Sequence, residues 1–196
     1  MKILERGSIL LAAIGFMMKI WRLTGGNELL MIGLSLLAMI YFYLGFALLN
    51  NIPLKAIFKK WSYSNTNSLR IVGAIGVGIL LSIVAISLLF KLMILSGAIE
   101  MLTVGVVGLF VTLFAAWIIF IIKKKQLDSF YTSIFVSGGV AVMLGIILYL
   151  TPASSLIRFY HRDDPAYAEL FVRAVENPYD EQIQKEFEEA REKKYK

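Results

Sequence analysis

Four charged residues interrupt long apolar stretches of this sequence: Lys19 and Glu28, then Lys91 and Glu100 exactly one 72-residue step later. An ammonium and a carboxylate on either side of a tight turn can pair, giving two candidate ion pairs, Lys19–Glu28 and Lys91–Glu100. Such pairs can do one of two things. They can handle an ion or a proton, because charge inside a membrane is costly and often marks a pathway. They can instead hold the turn together. Lys19 lies about 7 Å inside its helix end at 1.5 Å per residue, so its stem can carry the ammonium out to the headgroups. Glu28 and Glu100 open the return helices, where a carboxylate favours the positive end of the helix dipole. Capping and clipping is the favoured role. At the depth of a bilayer midplane the neighbouring helices offer tyrosine and threonine, such as Tyr41, Tyr43 and Thr112, and no carboxylate.

The charges belong to a longer match. Lys19, Leu23, Gly25, Glu28, Leu30 and Gly33 recur without gaps as Lys91, Leu95, Gly97, Glu100, Leu102 and Gly105, and Thr24 is answered by Ser96. The repeated unit reads as a transmembrane hairpin. The chain of 196 residues is 58% hydrophobic and 17% charged, against about a quarter charged in soluble domains. Stretches near 20 apolar residues are read as spans, and five are expected, at 7–23, 28–49, 71–94, 100–122 and 130–150. The expected fold is an all-α integral membrane protein, a five-helix bundle made of two parallel-repeat hairpins and a fifth span. A polar tail, 152–196, follows. Met1 to Arg6 resembles a positive n-region, but no small-residue cleavage site follows, so the first span is expected to stay as a signal anchor. With no cysteine, disulfides and thiolate metal sites are excluded.

Net charge is +6 and unevenly placed. Residues 1–151 carry 12 Lys/Arg against 4 Asp/Glu, and residues 152–196 carry 8 against 10. The basic residues flank spans, which argues for orientation in a membrane and against nucleic acid. Lys2 and Arg6, then Lys55, Lys59, Lys60 and Arg70, then Lys123, Lys124 and Lys125 all fall on one side if the N-terminus is cytoplasmic. Both hairpin turns then face out. The C-terminal tail follows the fifth span to the outside, the periplasm of a bacterium with two membranes.

Helices in lipid associate where small residues let backbones approach. Span 5 has one every fourth position, Ser133, Ser137, Ala141 and Gly145; span 3 has Ala74, Gly78 and Ser82, and span 4 has Gly108, Thr112 and Ala116. Packing inside the bundle is the favoured use, and a partner subunit on span 5 the sharper one. In the linker 50–70, Leu54, Ile57, Phe58 and Trp61 fall at helical spacing beside three lysines. This predicts a short interfacial helix with its lysines toward anionic headgroups, followed by a polar loop over 62–68. In the tail, Asp163, Asp164 and Pro165 predict a helix start. Tyr167, Leu170, Phe171, Ala174 and Val175 form one apolar face, and after Asn177 and Pro178 a second stripe runs through Ile183, Phe187 and Ala190. His161 is the sole histidine, so metal binding is not expected there. No phosphate loop, nucleophile–base set or HExxH occurs.

The first hairpin resembles that of the GldL family, inner-membrane proteins of Bacteroidota that build the gliding and type IX secretion motor with GldM. The residues that carry the likeness are Gly15, Lys19, Ile20, Gly25, Glu28, Gly33, Leu34, Ala38, Tyr41, Phe42, Gly45 and Phe46. Arg22, Leu23 and Thr24 stand where the family has His, Trp and Pro. Leu37 stands where the family has its intramembrane carboxylate, and Leu109 takes that place in the second repeat. The resemblance covers about 40 of the 196 residues and implies a hairpin kept as scaffold, without the proton-carrying group.

Taken together, these features predict a non-enzymatic inner-membrane scaffold or accessory subunit of a bacterial envelope assembly. The bilayer is its solvent, and span 5 and the tail are surfaces for a protein partner or a second copy. No cofactor is expected. The rival class is a small transporter or ion-linked protein that uses the lysine–glutamate pairs.

Overall fold

The computed structural model describes residues 1–63, 68–122 and 129–195. Eight helices follow one another: α1 (Lys2–Ile20), α2 (Gly26–Leu49), α3 (Ser68–Leu92), α4 (Ala98–Ile122), α5 (Ser129–Leu150), α6 (Ala153–Tyr160), α7 (Pro165–Glu176) and α8 (Glu181–Tyr195). Among the described residues there is no strand. The chain divides into two compact units, Met1–Leu150 and Thr151–Lys196.

In the first unit four helices are long and apolar enough to cross a bilayer: Gly26–Leu49, Arg70–Leu92, Ala98–Ile122 and Ser129–Leu150. The α1 helix differs in composition. Its 19 residues include Lys2, Glu5, Arg6 and Lys19. It also ends at Ile20, short of the expected 23, because the chain turns at Trp21 and Arg22. Consecutive helices pack against each other from α1 through α5, and α3 lies centrally, touching α2, α4 and α5. The core is Leu, Val and Ala, with Leu30, Leu81, Leu102 and Leu109 almost wholly buried.

Small residues set the helix spacing, as expected where lipid tails are as apolar as leucine. A methyl group on Gly15 would land in the Leu30 backbone, and one on Gly33 in the Ala12 backbone. Gly45 and Gly78 face each other between α2 and α3, where a methyl on Gly45 would sit 2.8 Å from the Gly78 Cα. On α5 the buried line is Phe130, Ile134, Gly138, Val142 and Gly145. Of the expected stripe, Gly145 is on this line, whereas Ser133, Ser137 and Ala141 are half-buried beside it. The contact is made by Gly138 against Leu113 and Gly145 against Val106 of α4. The line shifts because a helix turns 100° per residue, so it steps by three residues at Gly145 and by four elsewhere.

The linker after α2 is not a regular α-helix. Leu54–Ala56 and Lys60–Tyr63 are two short 3-10 turns, and Ile52 and Ala56 are buried against Ala47. The residues 64–67, within the expected polar loop, and Lys123, Lys124 and Lys125 lie outside the described residues.

The second unit is three helices. Asp164 caps α7 by accepting from the Tyr167 backbone N–H at 3.0 Å, with Pro165 in the first turn. Apolar rings form the seam between α7 and α8: Phe171 stacks on Phe187 at 4.7 Å, and Tyr167 lies 5.8 Å from Phe187. Lys194 returns from the end of α8 to Asp164 at 2.9 Å and lies over the Tyr167 ring at 4.1 Å. That ammonium, with the Tyr167 N–H, holds the Asp164 carboxyl below its ordinary value. Arg158 of α6 pairs with Glu169 of α7 at 2.8 Å; both are exposed, so the pair orients more than it stabilises. Burial pushes the Tyr160 phenol up to about 12.

Candidate functional site

The two hairpin turns have the same backbone. The Leu23 N–H bonds the Met18 carbonyl at 2.9 Å, and the Leu95 N–H bonds the Phe90 carbonyl at 2.8 Å. Arg22 and Ile94 both take left-handed conformations, φ 59° and 58°, as do Gly25 at 85° and Gly97 at 78°. A helix that ends with its i−5 bond closed around a left-handed residue satisfies its last carbonyls without solvent. Every one of these features recurs after 72 residues, as does the close packing of Gly33 on Ala12 and of Gly105 on Val84.

The charged residues carried by these turns do not form the expected pairs. The Lys19 ammonium crosses to the other hairpin and donates to the Leu92 carbonyl at 2.7 Å, with the Met93 sulfur at 3.5 Å. Glu28 and Glu100 are exposed, and among the described residues neither has a hydrogen bond or ion pair. Helix geometry explains this. Gly26 and Leu30 face the bundle, and Glu28 lies two positions, roughly 200°, from each. Glu100 has the same relation to buried Ala98 and Leu102.

Lys91 is the outlier. It is 5% exposed, and no hydrogen bond or ion pair reaches its ammonium among the described residues. The carbonyls at the end of α3 that receive Lys19 carry the negative end of that helix's dipole. Lys91 sits on α3 itself and has no such acceptor.

A second polar group lies elsewhere in the bundle, and pattern reading missed it. The Tyr41 hydroxyl of α2 donates to a Glu5 carboxylate oxygen of α1 at 2.8 Å. Tyr41 is 7% exposed. Two helices thus share one polar contact. Tyr41 stood out as a polar residue at depth, but only the antiparallel register of α1 on α2 brings Glu5 to it. Tyr43 instead faces outward against Phe42, and Thr112 bonds back to the Gly108 carbonyl at 2.8 Å. Arg70, at the start of α3, donates to the Asn50 side chain at 2.9 Å and lies over the Phe130 ring at 4.3 Å, tying together α2, α3 and α5. His161 packs edge-on to Tyr167 with centroids 4.9 Å apart, a ring contact within the tail. No group of three or more metal-ligating side chains occurs among the described residues.

Neither a protein-family model nor a curated protein nor a solved structure matches this chain.

Proposed function

We propose that the chain is a non-enzymatic scaffold or accessory subunit of a bacterial inner-membrane assembly, with α1 as a fifth crossing beside the four apolar ones. The observation that carries this reading is the Lys19–Leu92 bond. The charge most suited to ion handling is committed to a carbonyl of the neighbouring hairpin, where it joins the two hairpins. The register of α1 on α2 supports the fifth crossing: Lys19 lies at Gly26, Gly15 at Leu30, Ala12 at Gly33 and Glu5 at Tyr41, so α1 runs antiparallel along α2. The matching turns support a duplicated hairpin, a GldL-like element kept for assembly with leucine in place of the acid. With the N-terminus cytoplasmic, the tail is periplasmic, and it offers the contact surface for a partner or a second copy.

Lys91 favours the rival reading, an ion-linked membrane protein, because a lysine only 5% exposed, with no acceptor for its ammonium among the described residues, is the kind of group that binds and releases a proton or an anion. One pair of variants separates the two. Lys91→Met leaves a scaffold able to co-purify with its partner from native membranes, and deletion of 153–196 removes that partner. If Lys91→Met abolishes a transport signal in proteoliposomes while the deletion leaves it intact, the scaffold reading is wrong. A reporter at the C-terminus found on the cytoplasmic side excludes the five-crossing arrangement.

A further inference from the structure

Between α2 and α3 the chain turns its apolar side chains in two directions. Ile52 and Ala56 are 5% and 4% exposed and fix the segment to Ala47 at the end of α2. Leu54, Phe58 and Trp61 point the other way, with Phe58 fully exposed and Trp61 68% exposed. Lys55 and Lys59 are exposed between them. A regular helix would have put Leu54, Ile57, Phe58 and Trp61 on one face. The two 3-10 turns instead keep Ile57 half-buried and leave Phe58 as the most projecting apolar group.

We propose that 53–63 is a binding surface for anionic phospholipid, with Phe58 and Trp61 inserted at the headgroup boundary and Lys55 and Lys59 on the lipid phosphates. Three observations select this occupant. The segment joins two helices that are each apolar and long enough to span a bilayer, so it emerges at a membrane boundary. Its aromatic residues alternate with cations, the composition that favours a surface both apolar and negative. It is also held from behind by buried Ile52 and Ala56, so the outward side chains insert without first being ordered. Near an anionic surface each lysine strengthens attachment about fivefold, an effect that weakens as salt screens it.

The test uses the full chain carrying W21F and W117F, which leaves Trp61 as its single tryptophan, in bilayers of mixed phosphatidylglycerol and phosphatidylcholine. One lipid at a time carries a spin label near the headgroup. Labelled phosphatidylglycerol is expected to quench Trp61 several-fold more than labelled phosphatidylcholine at equal mole fraction. K55Q with K59Q should make the two equal, and F58S should weaken both. Equal quenching by the two lipids in the chain that keeps its lysines removes the charge selectivity and overturns the proposal. Weak quenching by both also overturns it, because the segment then stands off the bilayer and its aromatic face is left for a protein.

Discussion

The two hairpin turns share a few key residues, their backbone and their helix register, yet their lysines have different fates. Lys19 ends on the Leu92 carbonyl, and Lys91 stays buried with no acceptor among the described residues. Local sequence sets the turn, through the left-handed residues and the i−5 bond. The neighbouring helix sets what the charge does. Lys19 lies beside the carbonyl end of α3, whereas Lys91 is on α3 itself. Two turns with matching residues at the key positions therefore take the same geometry, but the same electrostatics only where their surroundings match too.

The largest expected effect lies in the packing of the two hairpins. An alanine at Gly33 would meet the Ala12 backbone, which cannot rotate away, while an alanine at Gly105 would meet the Val84 side chain 2.7 Å off. G33A is expected to cost about 3 kcal/mol and G105A about 1 kcal/mol, read as thermal denaturation of the purified protein in detergent. Equal losses would mean that the two hairpins pack alike after all.

The lysines come next. K19M removes a charge-assisted bond and should destabilise by about 1–2 kcal/mol, whereas K91M removes a cation that makes no bond among the described residues and should be neutral or stabilising. The same denaturation assay reads both. A K91M loss as large as that of K19M would show that Lys91 has an acceptor in solution.

The smallest effect probes what the turns have in common. A β-branched residue at positive φ is strained, so I94G should stabilise by about 1 kcal/mol and R22G by less. No gain from I94G would mean that the second turn adopts a different backbone from the first.

Much of the architecture was legible in the sequence. The apolar runs gave helices to within a few residues at α2, α4 and α5, because twenty consecutive apolar residues have few alternatives to a helix with its backbone bonds closed. The Asp164 cap of α7 followed from residue types at adjacent positions. The ion pairs failed because two residues facing each other across a turn in sequence need not face each other around the helix: Glu28 is turned outward by the same periodicity that buries Gly26 and Leu30. The interfacial helix failed for a related reason. Ile52 and Ala56 find a pocket on Ala47, and packing overrode the helical spacing of 54–61.

What the sequence determined alone was set within long helices and turns: the lengths of α2, α4 and α5, the like bends after Lys19 and Lys91, and the cap at Asp164. Those follow from backbone bonds closed a few residues apart, whose partners the local order of residues fixes. The tertiary structure decided the contacts between helices, Lys19 with Leu92 and Glu5 with Tyr41. Their partners lie 73 and 36 positions apart in the chain, and only the packing of glycine against backbone brings them within reach.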